Sequence, residues 1–474
     1  MTTAPTLVWF RRDLRLADHP ALTAAINAGR PVIPVFVLDG RGPWAPGAAS
    51  RWWLHHSLAA LAADLEARGS RLVVLRGAVE EELPRLAAAV GAGMVTWLHR
   101  PEPHERDREA RLERDLAAAG VERRAFAGDE LFEPGTVRGR EGGSFQVFTA
   151  FWRAALALPA PPEPLPPPYR IPGPAGWPAG PSLADLGLMP RIDWWHGLAD
   201  TWHPGAAGAE RRLAAFLDDG LEAYAAMRDR PDALGTSMLS PHLAWGEISP
   251  RQVWHAVTRK PPSAGAETFL KELGWREFSR HLLSAFPGLP EQPLRREFDR
   301  FPWRPDPDGF DAWRRGLTGY PIVDAGMRQL WHTGWMHNRV RMIVASFLVK
   351  DLLTPWRTGE DWFWDTLVDA DLAANAASWQ WVAGCGADAA PYFRVFNPVV
   401  QGEKFDPRGR YVRRWVPELA GLPDLAVHRP WEATPLVLRD AGVTLGRTYP
   451  APILDHGTAR KRALAAFQAI RDPG

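Results

Sequence analysis

Asp369 and Asp371 stand two residues apart, so their carboxylates share one side of an extended or turn segment. Such a pair can bind a metal, move protons or accept hydrogen bonds from a ligand. No His or Cys lies nearby at ligand spacing, so a metal is not expected. Arg341 is a candidate partner for one of them, in a functional or a purely structural ion pair. Glu272 and Trp275 sit at i and i+3 on one helix face, with Arg276 and Arg280 beside them. The run Trp335-Met336-His337-Asn338-Arg339 starts or precedes another helix, and Met342 follows one turn after Asn338. His337 reads more readily as a packing histidine than as an acid–base group. Gly235-Thr236-Ser237-Met238-Leu239-Ser240-Pro241 precedes a helical segment. Small hydroxyls and free backbone N–H groups there suit a phosphate, although a plain capped turn uses the same residues.

Tryptophan is the other chemical signal. The chain holds 24 in 474 residues, and they crowd around Trp356, Trp362, Trp364, Trp379 and Trp381. An indole packs cores, stacks on bases and is easily oxidised, and most of these serve packing.

These residues need elements to hold them. Thr6 to Phe10, Val32 to Leu38, Arg71 to Leu75, Met94 to Leu98 and Val121 to Phe126 read as buried strands. Helical stretches such as Ser57 to Arg68 and Glu105 to Ala119 alternate with them, which predicts an α/β domain with a parallel, Rossmann-like sheet over residues 1–130. The Glu- and Arg-rich segment His104 to Leu116 reads as a solvated helix face. No G-x-G-x-x-G follows the first strand, so a dinucleotide fingerprint is absent there. Proline and glycine crowd Pro159 to Pro181, and a connector is expected over 131–200. From 201 to 474 an all-α domain is expected, with helical periodicity in Glu210 to Leu217, Ala264 to Leu283, Gly326 to Lys350 and Thr458 to Ile470. Ser249-Pro250 starts a helix with a serine cap and proline at the first helical position.

Net charge is +1, from 56 basic and 55 acidic residues, so nucleic-acid binding would need a local basic face. Candidates are Arg295 to Arg304 and Arg339 with Arg341. No apolar run is long enough to span a bilayer, and the first residues lack the pattern of a signal peptide. The single cysteine, Cys385, leaves no intrachain disulfide. A cytoplasmic, monomeric protein is expected.

Taken in order, Val8-Trp9-Phe10-Arg11-Arg12-Asp13-Leu14-Arg15-Leu16, Thr236-Ser237-x-Leu239-Ser240, Trp335 to Arg339, Asp369-x-Asp371 and Trp379-Gln380-Trp381 resemble the cryptochrome/photolyase family. The resemblance runs from residue 7 to about 468 and looks like a class I-type enzyme for cyclobutane pyrimidine dimers. It implies flavin adenine dinucleotide (FAD), held bent in the helical domain and active when reduced. Tyr224 and Thr236, Ser237, Met238, Leu239 and Ser240 would hold its phosphates. Asp369 and Asp371 would meet the flavin ring and ribityl chain, with Arg341 pairing to Asp369, and Asn375 would lie against flavin N5. Asparagine at that position marks the repair-type members. An electron relay is implied through Trp379, Trp356 and Trp303.

The resemblance also implies the substrate, UV-damaged DNA carrying pyrimidine dimers. Glu272, Trp275, Asn338, Met342 and Trp381 would form the lesion pocket, with Arg276 beside it. Arg228, Arg339 and Gln401 would meet backbone phosphates. His337-Asn338, without a second histidine, points to cyclobutane dimers in preference to (6-4) photoproducts. Ala376-Ala377-Ser378 departs from the usual Asn-Gly-Gly type of sequence after the N5 residue. An antenna, folate or deazaflavin, is implied in the N-terminal domain, where His104-Glu105 aligns with an Asn-Glu pair that contacts a pterin. The function implied is light-driven dimer splitting. The alternatives are a blue-light photoreceptor of cryptochrome type, or a (6-4) lyase. The retained Glu272, Trp275 and Asn375, and the close of the sequence soon after Tyr449 to His456, weigh against the receptor.

Overall fold

The computed structural model describes residues 4–42, 44–133, 135–139, 142–389 and 393–471. Five strands occur: β1 (Thr6–Phe10), β2 (Val32–Leu38), β3 (Val73–Arg76), β4 (Met94–Leu98) and β5 (Glu122–Phe126). They form one parallel sheet in the order β3-β2-β1-β4-β5, with Trp9 of β1 level with Trp97 of β4. Between the strands run α1 (Pro20–Asn27), α2 (Ala48–Glu66), α3 (Val79–Val90) and α4 (Pro103–Ala118). Continuous apolar runs suit β1, β2 and β4 because a parallel sheet is covered on both faces. One face packs Leu7, Trp9, Ile33, Val35, Val95 and Trp97 into a shared core. β5 corrects the expectation of a buried strand: it pairs only with β4, lies at the edge and keeps Arg123 and Arg124 exposed. The solvated-face reading of α4 also needs correction, because Glu109 is buried and takes bonds from His99 and the Arg100 N–H.

After Phe126 the described residues contain helices and no further strand. These are α5 (Phe148–Leu156), α6 (His196–Thr201), α7 (Ala206–Ala215), α8 (Tyr224–Met227), α9 (Ser240–Ala244), α10 (Pro250–Thr258) and α11 (Ala264–Ala285). Then come α12 (Pro307–Arg314), α13 (Pro321–Thr333), α14 (Asn338–Ser346), α15 (Trp356–Thr366) and α16 (Leu372–Ala383). The last are α17 (Pro398–Phe405), α18 (Arg410–Trp415), α19 (Pro435–Asp440) and α20 (His456–Arg471). Ser249 caps α10 as expected, and Gln252 completes a reciprocal capping box. The periodicity over Gly326 to Lys350 is not one helix. Gly334, in the left-handed conformation, ends α13, and α14 starts afresh at Asn338. Ala376-Ala377-Ser378 lies inside α16 rather than in a loop.

By packing, the chain divides into two compact units. One holds residues 1–222, 237–287 and 368–373; the other holds 223–236, 288–367 and 374–474. The stretch expected as a connector carries α5 and α6 and packs within the first unit. There Ile171 is buried and the Pro172 carbonyl accepts from the Val32 N–H at 2.6 Å. Among the described residues, no helix is long and apolar enough to cross a membrane.

Candidate functional site

In the first unit, Asp369 and Asp371 lie on the short segment before α16, and both are buried. Three donors hold that segment. Arg12 Nη1 donates to the Ala370 carbonyl at 2.7 Å, and Trp245 Nε1 donates to the Val368 carbonyl at 2.9 Å. Arg280 Nη2 meets Asp371 Oδ2 at 3.4 Å. Arg280 also pairs with Asp129 at 2.7 Å and Glu130 at 2.9 Å. Burial alone would raise Asp129, but Arg280, Arg276 and Arg100 together hold it well below the usual carboxylate range. Burial pushes Glu277 up to about 7 against the pull of Arg276.

Arg280 and Glu277 sit on α11, which Ser263 caps through the Ala266 N–H. The same helix carries Glu272 and Trp275, both half-buried. Trp275 is braced face to face on Phe148, with ring centroids 4.0 Å apart and 9° between planes. Arg276 is engaged within the protein, donating to the Asp129 carbonyl at 2.9 Å and to Glu277 at 3.0 Å. Ser237 to Ser240 also belong to this unit. Met238 sits at φ 52°, a strained conformation for a residue with a Cβ and one that gathers at functional turns. The Leu239 N–H turns back to Ser237 Oγ at 3.4 Å. α9 is a single short turn, so it offers individual N–H and hydroxyl groups rather than a long helix dipole.

In the second unit, α14 presents the other substrate candidates. His337 is its N-cap, accepting the Arg339 N–H at Nδ1. Burial pushes the His337 pKa down to about 4, which makes it a neutral packing and capping group. Asn338 is exposed and Met342 half-buried, one turn apart. Arg339 forms a fork on Asp229 at 2.9 and 3.2 Å and lies over the Phe405 ring at 4.5 Å. Arg341 Nε donates to the Met336 carbonyl at 2.8 Å. Tyr224 is buried on α8, with the Arg228 guanidinium 5.7 Å from its ring, and Thr236 is half-buried. Gln401 is half-buried on α17, whose N-cap is Asn397.

Asn375 donates from Nδ2 to the Glu360 carbonyl at 3.1 Å, which fixes the amide and directs Oδ1 elsewhere. The Glu360 side chain is fully buried, and burial raises its pKa to about 9, so it is a neutral acid near pH 7. Trp379 meets Phe363 at 5.0 Å and Trp313 at 6.5 Å, both edge-on. A Cβ at Gly359 would overlap its ring. Successive residues on a helix point about 100° apart, so Gln380 and Trp381 face other ways. Gln380 is buried on backbone partners of Leu289, Gln292 and Leu294, and Trp381 is half-buried with Nε1 on the Asp388 carbonyl. Exposure rises from Trp379 and Trp356, both buried, to the half-buried Trp303.

Taken one unit at a time, the groups present are of kinds that a flavin nucleotide takes up. Buried carboxylates suit ring N–H and ribityl hydroxyls, an oriented amide suits a ring nitrogen, and hydroxyls with backbone N–H groups suit a pyrophosphate. The antenna expectation rested on His104-Glu105. Here the Glu105 carboxylate is bonded to Arg11 at 3.0 Å and to Arg108. Arg12, Trp245 and Glu360 were missed by the sequence reading. Arg12 stood in the first quoted motif, and Glu360 is an acid one turn after Trp356 on an aromatic-rich helix.

Residues 6–169 match the family described as DNA photolyase, and residues 269–469 match the FAD binding domain of DNA photolyase. A deoxyribodipyrimidine photo-lyase of Agrobacterium fabrum is 52% identical, covering 99% of both chains. The crystal structure of a bacterial class III photolyase from Agrobacterium tumefaciens superposes with a TM-score of 0.96 at 51% identity, over 99% of this chain and 98% of that one. Cryptochrome-1 of Arabidopsis thaliana is 42% identical over 98% of this chain and 70% of its own length. Motifs, fold and full-length similarity converge, and the chain belongs to the DNA photolyase/cryptochrome family, with that family's FAD-binding domain.

Proposed function

We propose that this chain is a light-driven lyase that splits cyclobutane pyrimidine dimers in DNA, and that within the family it stands beside the class III photolyases. The observation that carries this reading is the half-buried Glu272–Trp275 pair on α11, with Trp275 braced on Phe148. Bound FAD, reduced and excited by light, would supply the electron that opens the cyclobutane ring and would take it back once the two pyrimidines have separated. The chain does the rest. Enzymes that work on bases take them out of the stack, and photolyases are a known case. Trp275 and Trp381 each offer a ring face to the extruded dimer. Glu272 hydrogen-bonds the dimer where negative charge gathers, and Asn338 and Met342 line the same lesion. Arg228, Arg339 and Gln401 meet phosphates and position the strand without reading its sequence. Tyr224 and the Thr236–Ser240 turn hold the cofactor phosphates, Asp369 and Asp371 its ring and ribityl chain, and Asn375 its N5. Trp379, Trp356 and Trp303 pass electrons inward. No metal or nucleophile is called for.

The test is repair of dimer-containing oligothymidine, in the dark and under blue light, by wild type and Glu272→Ala. Repair confined to the light, and lowered by Glu272→Ala with flavin still bound, is expected. Intact dimers after photoreduction and illumination would reject the reading. The 42% identity to a cryptochrome supports a second reading, a photoreceptor. Bound, reducible flavin with no repair of cyclobutane or (6-4) DNA would favour it.

A further inference from the structure

In an open parallel sheet, ligands commonly sit at the carboxyl ends of the strands where the strand order reverses. Here that point lies between β1 and β4. This chain fills it with its own charges. Arg11 turns to Glu105 and Glu109, and Arg100 turns to Glu102 and Asp129. Arg12, the next residue after Arg11, instead reaches the Ala370 carbonyl at 2.7 Å.

Arg12 is not free to drift. Its guanidinium lies over the Trp245 ring at 4.6 Å. Trp245 is fixed in turn by its own bond to the Val368 carbonyl and by the Leu14 N–H, which donates to the Trp245 carbonyl at 3.2 Å. Arg15 holds the neighbouring Gly246 carbonyl at 3.0 Å. Gly246 has φ +64°, and a Cβ there would overlap the Arg12 carbonyl oxygen and lie 2.6 Å from Asp13 Cα. Only glycine permits so close an approach. Residues 12–15 and 245–246 therefore form one locked unit with two donors aimed at the 368–371 segment.

A carbonyl fixed by a donor fixes its whole peptide plane. The Val368 and Ala370 carbonyls belong to the planes that enter Asp369 and Asp371. Setting those planes sets the directions in which the two carboxylates leave the backbone. We propose that Arg12, braced by Trp245, is a positioning residue for the flavin: it holds the Ala370 carbonyl so that Asp369 and Asp371 are presented to the cofactor without reorganisation. This rests on the reading that the aspartate pair meets the flavin.

The experiment titrates FAD into folded apoprotein and records affinity, the vibronic structure of the bound flavin's absorption and its reduction potential. Wild type is compared with Arg12→Gln, Arg12→Lys, Trp245→Phe and Asp369→Asn. Trp245→Phe keeps a ring face under Arg12 and removes the N–H donor. Loss of a charge-assisted bond predicts FAD binding weaker by about tenfold in Arg12→Gln, with blurred absorption bands, and substantial recovery in Arg12→Lys. A merely structural role would lower the unfolding midpoint and leave the bound flavin's spectrum and potential as in wild type. Wild-type affinity, spectrum and potential in Arg12→Gln and Trp245→Phe, while Asp369→Asn perturbs the flavin, would overturn the positioning role alone. An unperturbed flavin in Asp369→Asn as well would overturn both the reading of the pair and the proposal. If Arg12→Gln does not fold, Trp245→Phe decides by the same readouts.

Discussion

The Val368–Asp371 segment in the first unit and the α15–α16 pair in the second meet the same need, holding a side chain still, by different means. Asp369 and Asp371 are placed by directed donors from Arg12, Trp245 and Arg280. Trp379 is placed by shape, with Phe363 and Trp313 edge-on and Gly359 leaving room for its ring. The titrating groups differ in step. Burial raises Glu277 in the first region only to about 7, because Arg276 and Arg280 oppose it. Burial raises Glu360 in the second to about 9, with Asp361 adding to the rise and Arg357 opposing it. A carboxylate ligand needs bonds that fix its direction. A ring in the proposed relay needs close apolar contact and few competing charges.

Breaking the directed region should have the largest effect. Arg280→Ala leaves Asp129, Glu130 and Asp371 without their shared cation in a buried setting. A loss of about 3–5 kcal/mol is expected for an uncompensated buried charge. Denaturant unfolding of the holoprotein measures it, and a loss below about 1 kcal/mol would show that Arg276 and Arg100 suffice. The shape-held region should break more gently. Gly359→Ala pushes a methyl group into the Trp379 ring, with an expected cost of about 1–3 kcal/mol and slower photoreduction. Adding Trp379→Phe should recover part of that stability, because the smaller ring makes room. Strictly additive losses would mean that Gly359 and Trp379 do not compete for space.

How far the sequence exposed these regions follows from the same contrast. β1, β2 and β4 were legible to the residue, because a strand covered on both faces is one apolar run. β5 was legible as a strand and not as an edge, since edge position depends on what pairs with it. The break at Gly334 was hidden because helical periodicity continues on both sides. Asp369 and Asp371 announced themselves by spacing, and Glu272 with Trp275 by helical register. Arg12 and Trp245 did not, being 358 and 123 residues from the carbonyls they hold. Donors that act on backbone carbonyls leave no matched pair of side chains to read. Glu109 looked solvated because burial of a charge is legible only with its partners in place.

The acid in the shape-held region gives a pH signature. The Glu360 pKa rises from an ordinary 4.5 to about 9 on folding, so the folded chain holds a proton that the unfolded chain releases. That contribution is complete below about pH 4.5 and is lost as pH climbs toward 9. Glu360→Gln keeps the neutral shape at every pH. At pH 8 it should therefore exceed wild type in stability, and the gap should close toward pH 5. Equal stability across that range would place the Glu360 proton on solvent rather than in the fold. Glu277 should show the same sign over the narrower window from about 4.5 to about 7.

The smallest effect on the fold should accompany a large effect on electron flow, and it tests whether the second region's aromatic rings do more than pack. Trp303 is half-buried and packs on Phe301 at 4.4 Å. Phenylalanine can fill most of that volume, so Trp303→Phe should stay within about 0.5 kcal/mol of wild type. Its ring is much harder to oxidise, and a relay ending at the surface would lose its last donor. Photoreduction of oxidised flavin should fall sharply, while repair by chemically reduced protein should match wild type. Two results would separate packing from relay. Normal photoreduction would return Trp303 to packing and leave electrons another way in. Lost repair after chemical reduction would assign the residue to DNA or to the fold, and would leave exposure alone, rising from Trp379 to Trp303, as insufficient ground for an electron path.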